Sequence, residues 1–287
     1  MVALTRTETD HPRGPALAVA LADTRIEAAL VTPEGSIVPG SRHRRPTGLS
    51  LDARDLSTAI DDVCGAALAT TTRGTVTHAG IGAPAPIDPE TGAIISVDLP
   101  DVHGISLADA VAAALRSHGV AEPSVRDGHD VGCLALAEST IGATRGTRAS
   151  AAVVVSTGIG SGIVIDGTLF GGASGDAGHL GRLHPDGGEG QTLEEIASGP
   201  SSVRWARAQG WLGDTSEDLA TAASVGDPVA REAIARSAAA VGCVLADVTT
   251  LIDLDMIAVS GGFSQVTGNY ITMVQHQLTA RVTLPYA

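Results

Sequence analysis

The chain contains no lysine: its 18 basic residues are all arginine. A lysine nucleophile and a lysine-bearing Walker phosphate loop are therefore excluded. Aromatic residues make up 2% of the 287 residues, so alanine, valine, leucine and isoleucine must build the core. Cysteine is scarce too. Cys64, Cys133 and Cys243 are odd in number, far apart and without a CxxC pair. That argues against a disulfide framework and a cysteine-rich zinc site. No run approaches 18 apolar residues, so no membrane helix is expected. Residues 1–15 are expected to form a polar, disordered tail with no apolar signal core, which fits a cytoplasmic setting. Basic charge is outnumbered, 18 residues against 32 acidic ones, for a net charge of -14. Nucleic acids and anionic membranes both call for basic surface, so neither is expected as a partner. The densest basic run, Arg42, His43, Arg44 and Arg45, reads as a solvated loop.

What is present is apolar mass and turn chemistry. Hydrophobic residues make up 44% and charged residues 17%, enough for a sizeable core. Ala16 to Val19, Ile26 to Val31 and Ser36 to Val38 read as three strands joined by turns. Leu56, Ile60, Val63 and Ala67 recur in steps of four, three and four, the mark of one helix face. A strand follows over Thr77 to Gly82, then a helix over Leu107 to Leu115 and a brief strand at Ser124-Val125. The scheme then repeats. Val131 to Ile141 is helix-like and Ala151 to Val155 is strand-like. Ser156 to Gly162 reads as a tight glycine turn, followed by a strand over Ile163 to Ile165. Asp166-Gly167 favours a type I′ hairpin turn. Two helical stretches, Thr215 to Ala223 and Pro228 to Ile252, precede a strand over Met256 to Val259. Each half thus holds a three-strand meander followed by helices and strands. This predicts an α/β protein of two similar domains, 16–127 and 128–287, around a cleft, and clefts are favoured ligand sites.

Four stretches carry candidate chemistry. In Ser156 to Gly162, three alternate glycines allow backbone N–H groups to approach an anion, and Thr157 adds a hydroxyl. A strand follows, where a dinucleotide-binding fingerprint requires a helix. An ordinary glycine-rich hairpin has the same pattern. Gly261-Gly262 permits close backbone approach to a ligand, or only a tight turn. At His129-Asp130, the carboxylate either caps a helix or takes a proton from an attacking hydroxyl. Glu194 and Glu195 either hold sugar hydroxyls or form a solvated first helical turn.

Taken together, these stretches resemble the ROK family (repressors, open reading frames and kinases) over roughly residues 16–287. The resemblance rests on several motifs in order. They are Gly80 to Asp88, Asp98-Leu99-Pro100, Gly128 to Glu138, Val155 to Arg182, and Leu251 to Gly262. It implies the actin-like ATPase (ribonuclease H-like) fold and ATP-dependent phosphorylation of a hexose or N-acetylated sugar, with Mg2+ neutralising charge. Asp130 would be the general base. Thr24, Thr157, Gly158 and Gly160 would lie on the phosphates, and Gly261 and Gly262 beside the adenosine. Asp98, His129, Asp130, His179 and Glu194 would meet the sugar. The partner implied is a small-molecule sugar, and the family often forms homodimers.

The sequence also departs from the family pattern. The first phosphate hairpin, usually Asp-x-Gly-Gly-Thr, reads Ala20-Leu21-Ala22-Asp23-Thr24. Asp98 and His129 stand where asparagine is usual, and His179 where glutamate is usual. Arg182 replaces a zinc-ligating histidine and the following loop has no cysteine, so no structural zinc is expected. Members usually continue with one more strand and helix. Two readings follow: a kinase of altered specificity, or a catalytically impaired sugar- or nucleotide-binding relative with a regulatory role. The repressor branch's N-terminal winged helix has no counterpart in the sequence.

Overall fold

A computed structural model describes residues 14–22, 25–47, 52–71, 76–84, 87–88, 91–95, 102–175, 177–185 and 190–283. The chain splits into two compact units, Met1–Asp130 and Val131–Ala287. Of the tail expected over 1–15, residues 1–13 lie outside the described residues, as do Asp23, Thr24 and Asp98.

The first unit is a five-stranded sheet backed by two helices. Its strands are β1 (Ala16–Ala22), β2 (Arg25–Val31), β3 (His43–Pro46), β4 (His78–Ala83) and β5 (Ser124–His129), in the order β3-β2-β1-β4-β5. The β1–β2 and β2–β3 pairs are antiparallel, and the β1–β4 and β4–β5 pairs are parallel. Alternation drives β1: Leu17, Val19 and Leu21 are buried while Ala18 and Ala20 face out. Helix α1 (Ala53–Leu68) buries Leu56, Ile60 and Val63, and Asp52 caps it by accepting the Asp55 amide proton at 2.8 Å. Helix α2 (Leu107–Ser117) buries Leu107, Val111 and Leu115. Burying one such side chain is worth about 1.5–3 kcal/mol, so these stripes fix both helices to the sheet.

Two expectations need correction here. Ser36 to Val38 is not a strand; it contributes only an isolated bridge, Val31 to Ile37. The third strand is instead the basic run expected to be a loop. Glu27 on β2 explains this. It accepts from Arg42 at 2.8 Å and Arg44 at 2.6 Å, and Arg45 pairs with Asp62. Burial pushes the Glu27 carboxyl up, but those hydrogen bonds outweigh it and hold it below the usual range. A charged edge strand also resists pairing with other sheets.

The second unit repeats the order. Strands β6 (Ala149–Val155), β7 (Ile159–Ile165), β8 (Thr168–Leu169) and β9 (Met256–Ser260) run β8-β7-β6-β9, matching β3-β2-β1-β4. The β6–β7 pair is antiparallel and the β6–β9 pair parallel. Asp166 and Gly167 have φ of 49° and 74°, the two positive values that a type I′ turn needs. The helices are α3 (Asp130–Ile141), α4 (Leu193–Ala197), α5 (Gly199–Ala208), α6 (Ser216–Ser224), α7 (Pro228–Ile252) and α8 (Tyr270–Arg281). No membrane-length apolar run was expected, yet α7 is long and apolar enough to qualify; 67% of its most apolar stretch is buried in the core of this unit. Tyr270 locks α8 to it, sharing a 2.8 Å hydrogen bond with Ser237, which donates to the Ala197 carbonyl at 2.7 Å.

Candidate active site

Parallel strands β6 and β9 end side by side, with Val154 opposite Ser260. Beyond them lie the turn at Ser156-Thr157-Gly158 and the pair Gly261-Gly262. Ser156 closes the first turn by donating its amide to the Gly158 carbonyl at 2.9 Å. Gly261 has φ +100°, and a Cβ there would lie 2.5 Å from the Val155 carbonyl oxygen. Only glycine permits that approach. At Gly262 a Cβ would find only the Ser156 hydroxyl, at 3.8 Å, so that side is open. The Gly199 amide, at the start of α5, donates to the Ser156 carbonyl at 2.8 Å. A Cβ on Gly199 would come within 2.7 Å of the Ser216 hydroxyl, which brings the start of α6 alongside. The carboxyl ends of neighbouring strands are where ligands settle in open α/β sheets.

The glycine run is not one turn. Strand β7 already begins at Ile159, and Gly160 and Gly162 lie within it. Their period of two puts them on one face. A Cβ on Gly160 would meet Val131 Cγ1 at 2.6 Å; one on Gly162 would meet Ala135 Cβ at 2.8 Å and the Val131 carbonyl at 2.9 Å. These glycines clear space for α3. Thr157 and Gly158 lie in the turn, whereas Gly160 lies within β7 against Val131.

That helix opens with Asp130. His129 ends β5, in register with Ala83, and its Nε2 lies 3.5 Å from Asp130 Oδ1. The Asp130 side chain is about half exposed, at 49%, so its carboxylate is reachable. A helix N-terminus favours negative charge at that position.

Glu194, on α4, is not the solvated residue of the alternative reading. Its Oε2 accepts the Ile159 amide proton at 2.8 Å. A Cβ on Gly158 would lie 2.8 Å from that oxygen, so Gly158 lets the carboxylate in. Glu195 instead closes a capping box with Thr192. Those hydrogen bonds, chiefly from the Thr192 amide, hold its carboxyl below the usual range. His179 precedes a 3-10 turn over Leu180–Arg182. Ser161 on β7 holds this segment, donating to the Gly178 carbonyl and accepting from the Leu180 amide at 3.1 Å. Arg182 Nη1 lies 4.0 Å from Glu194 Oε1. The second unit therefore brings Thr157, Gly158, Gly261 and Gly262 together at the ends of β6 and β9, with Glu194 at the first turn. His129 and Asp130 adjoin each other, while Thr24 and Asp98 lie outside the described residues.

Among the described residues, no group of three or more His, Cys, Asp or Glu side chains is placed to hold a metal ion. One feature escaped the sequence reading: a cavity of about 600 Å³ lined by Ala220, Ser224, Arg231, Val266, Thr267 and Asn269 among others. Its signal is only positional. Val266 to Asn269 follow Gly262 within seven residues.

The ROK family model matches residues 16–285. The chain is 32% identical over 151 residues to the bifunctional enzyme NanE/NanK of Brucella suis, covering 52% of this chain and 28% of that protein. It therefore spans under a third of the length of that bifunctional relative. It is 28% identical over 281 residues to the N-acetylmannosamine kinase of Escherichia coli O139:H28, covering 91% of this chain and 87% of that one. Among solved structures it is similar to a ROK family glucokinase from Streptomyces griseus in complex with glucose and AMPPNP. The TM-score is 0.74 at 26% identity, covering 94% of this chain and 90% of that chain.

Proposed function

The chain belongs to the ROK family, and from that premise we propose that it is a sugar kinase. It transfers the γ-phosphoryl group of ATP to a hydroxyl of a hexose or N-acetylated hexose. The observation that carries this reading is the pairing of the Ser156–Gly158 and Gly261–Gly262 turns at adjacent strand ends, held by the Gly261–Val155 contact. Similarity to the N-acetylmannosamine kinase and to the glucokinase holding glucose and AMPPNP supports it.

Phosphoryl transfer asks little covalent chemistry of the protein; positioning and electrostatics dominate. The Thr157 and Gly158 amides and the Thr157 hydroxyl hold phosphate oxygens. Gly262 lets the nucleotide approach the backbone, and the cavity beside Val266–Asn269 receives the base. Asp130 accepts the proton of the attacking hydroxyl. Glu194, its Oε2 anchored by Ile159, presents Oε1 to the sugar. His129 and His179 contact the sugar, as do Asp98 and, on the phosphates, Thr24. Magnesium fits such a site without a protein cage, because it keeps several waters and takes one or two carboxylates plus phosphates. Asp130 is the described carboxylate that would hold it, and the ion would neutralise phosphate charge. A cytoplasmic setting accords with this reading.

A second reading, a sugar- or nucleotide-binding relative without turnover, draws on the end of β1. Ala20, Leu21 and Ala22 supply neither carboxylate nor glycine there. ADP release from MgATP, across hexoses, N-acetylhexosamines, hexuronates and hexonates, separates the two. Turnover with one acceptor that falls about 10²–10⁴-fold in Asp130→Asn supports the kinase. Silence across the panel from folded protein favours the second reading.

A further inference from the structure

Arg182 and Glu194 face each other at 4.0 Å, with side chains 71% and 33% exposed. That is the outer limit of an ion pair and too long for a hydrogen bond. The guanidinium is a planar fork of five donors, and this contact leaves the fork open. Among the described residues, the neighbouring Glu195 has its Oε2 bound to the Thr192 amide at 2.8 Å and hydroxyl at 3.1 Å. His179 and His184 lie three residues before and two residues after Arg182. The segment 179–184 thus carries one formal positive charge, two histidines and no acidic residue in a chain of net charge -14.

Resting on the sugar-kinase reading, we propose that the acceptor is an acidic sugar, a hexuronate or hexonate. Its carboxylate docks on the Arg182 guanidinium while Glu194 holds one of its hydroxyls. A neutral hexose offers nothing that needs a full cation at a water-exposed position. A carboxylate matches the fork through two charge-assisted hydrogen bonds. Charge also selects carboxylate over phosphate. Arg182 and Glu194 sum to zero, so a carboxylate brings one negative charge beside Glu194, whereas a phosphoryl group brings nearly two.

Titration calorimetry without nucleotide, using glucuronate, gluconate, glucose and glucose 6-phosphate, tests the assignment. At least one acid is expected to bind at least about tenfold more tightly than glucose, with an affinity that falls as salt rises. Arg182→Gln should weaken the acid by about 10–100-fold and abolish its advantage over glucose. Arg182→Lys should restore part of it as a point charge. Glucose binding as tightly as either acid, an acid preference that survives in Arg182→Gln, or no acid binding overturns the proposal. Tightest binding by glucose 6-phosphate overturns the choice of carboxylate. ADP release with the same four sugars keeps the two failures apart. Arg182-dependent acid binding without turnover refutes the kinase reading alone; turnover of glucose without acid binding refutes this proposal alone.

Discussion

Replacing Gly160 by alanine adds one methyl group at a place the structure leaves no room for it. Its Cβ would stand 2.6 Å from Val131 Cγ1. Carbon atoms prefer about 3.5–4.0 Å, so something must give by about 0.9 Å. Strand β7 is held on both sides, by β6 along its whole length and by β8 at its end. Val131 must therefore leave its rotamer or helix α3 must move. Overpacking of this kind costs about 1–3 kcal/mol. Val131 directly follows Asp130, so the displacement reaches the proposed general base. A misplacement near 1 Å costs about 10²-fold in rate.

The contact also names its own rescue. In Val131→Ala the two methyl groups disappear, and the nearest remaining Val131 atom is Cβ, 3.5 Å away. The double variant should be more stable than the sum of the single losses by about 1–3 kcal/mol, read from urea midpoints at constant m-value. Turnover should recover with it. Gly80→Ala serves as the comparison: its Cβ would meet only the Arg126 carbonyl, at 3.9 Å, and a strand alanine there should gain about 0.5–1 kcal/mol. Purely additive losses would refute the clearance argument. If Gly160→Ala raised the KM for ATP whatever stood at residue 131, the phosphate-turn reading of Gly160 would return.

Two further outcomes are expected. Gly261→Ala forces a side chain into φ +100° and onto the Val155 carbonyl at 2.5 Å; it should lower stability by more than about 1 kcal/mol and weaken nucleotide binding measured by thermal shift. Burial, followed by the charge of Asp61, pushes the Cys64 thiol up to about 12 from 9.0. Its contribution is therefore full below pH 9 and is lost as pH rises from 9 toward 12, by about 1.4 kcal/mol per pH unit at most. Urea unfolding against pH should show that slope, and Cys64→Ala should remove it; an unchanged slope would place its origin elsewhere.

Legibility in the sequence followed the range of the cause. Asp166-Gly167 was readable as a hairpin turn because both positive φ values belong to the turn itself. Helix α1 was readable because its buried positions repeat along one segment. Strand β3 was not, because Arg44 within it and Arg42 just before it are held by Glu27, 17 and 15 positions away. Helices α4 and α5 carry local start signs, the Thr192 and Glu195 capping box and Ser198-Gly199-Pro200. The motif residues were legible as a set. The division of labour within the glycine run was not, since each glycine answers to a neighbour far along the chain.

That division bears on how the site is built. Gly158, just before β7, and Gly160 and Gly162 within it alternate along the chain, and each omits a Cβ for a different neighbour: the Glu194 carboxylate, the Val131 side chain, and the α3 backbone with Ala135. One strand face thus fixes the height of the helix that opens with Asp130 and the position of the carboxylate that faces Arg182. If the glycines were there to make the loop pliable, a side chain at any of the three would do similar harm. If they are there as clearance, harm follows the neighbour. At Gly158 the obstacle is the end of a flexible glutamate, which can swing away, so the loss should fall on sugar binding through Glu194. At Gly162 the obstacle includes backbone, at 2.9 and 3.0 Å, which cannot swing, so the loss should fall on folding itself. On the clearance reading the same period of two encodes a graded series, from the proposed acceptor contact just before β7 to structural integrity two turns of the pleat further on.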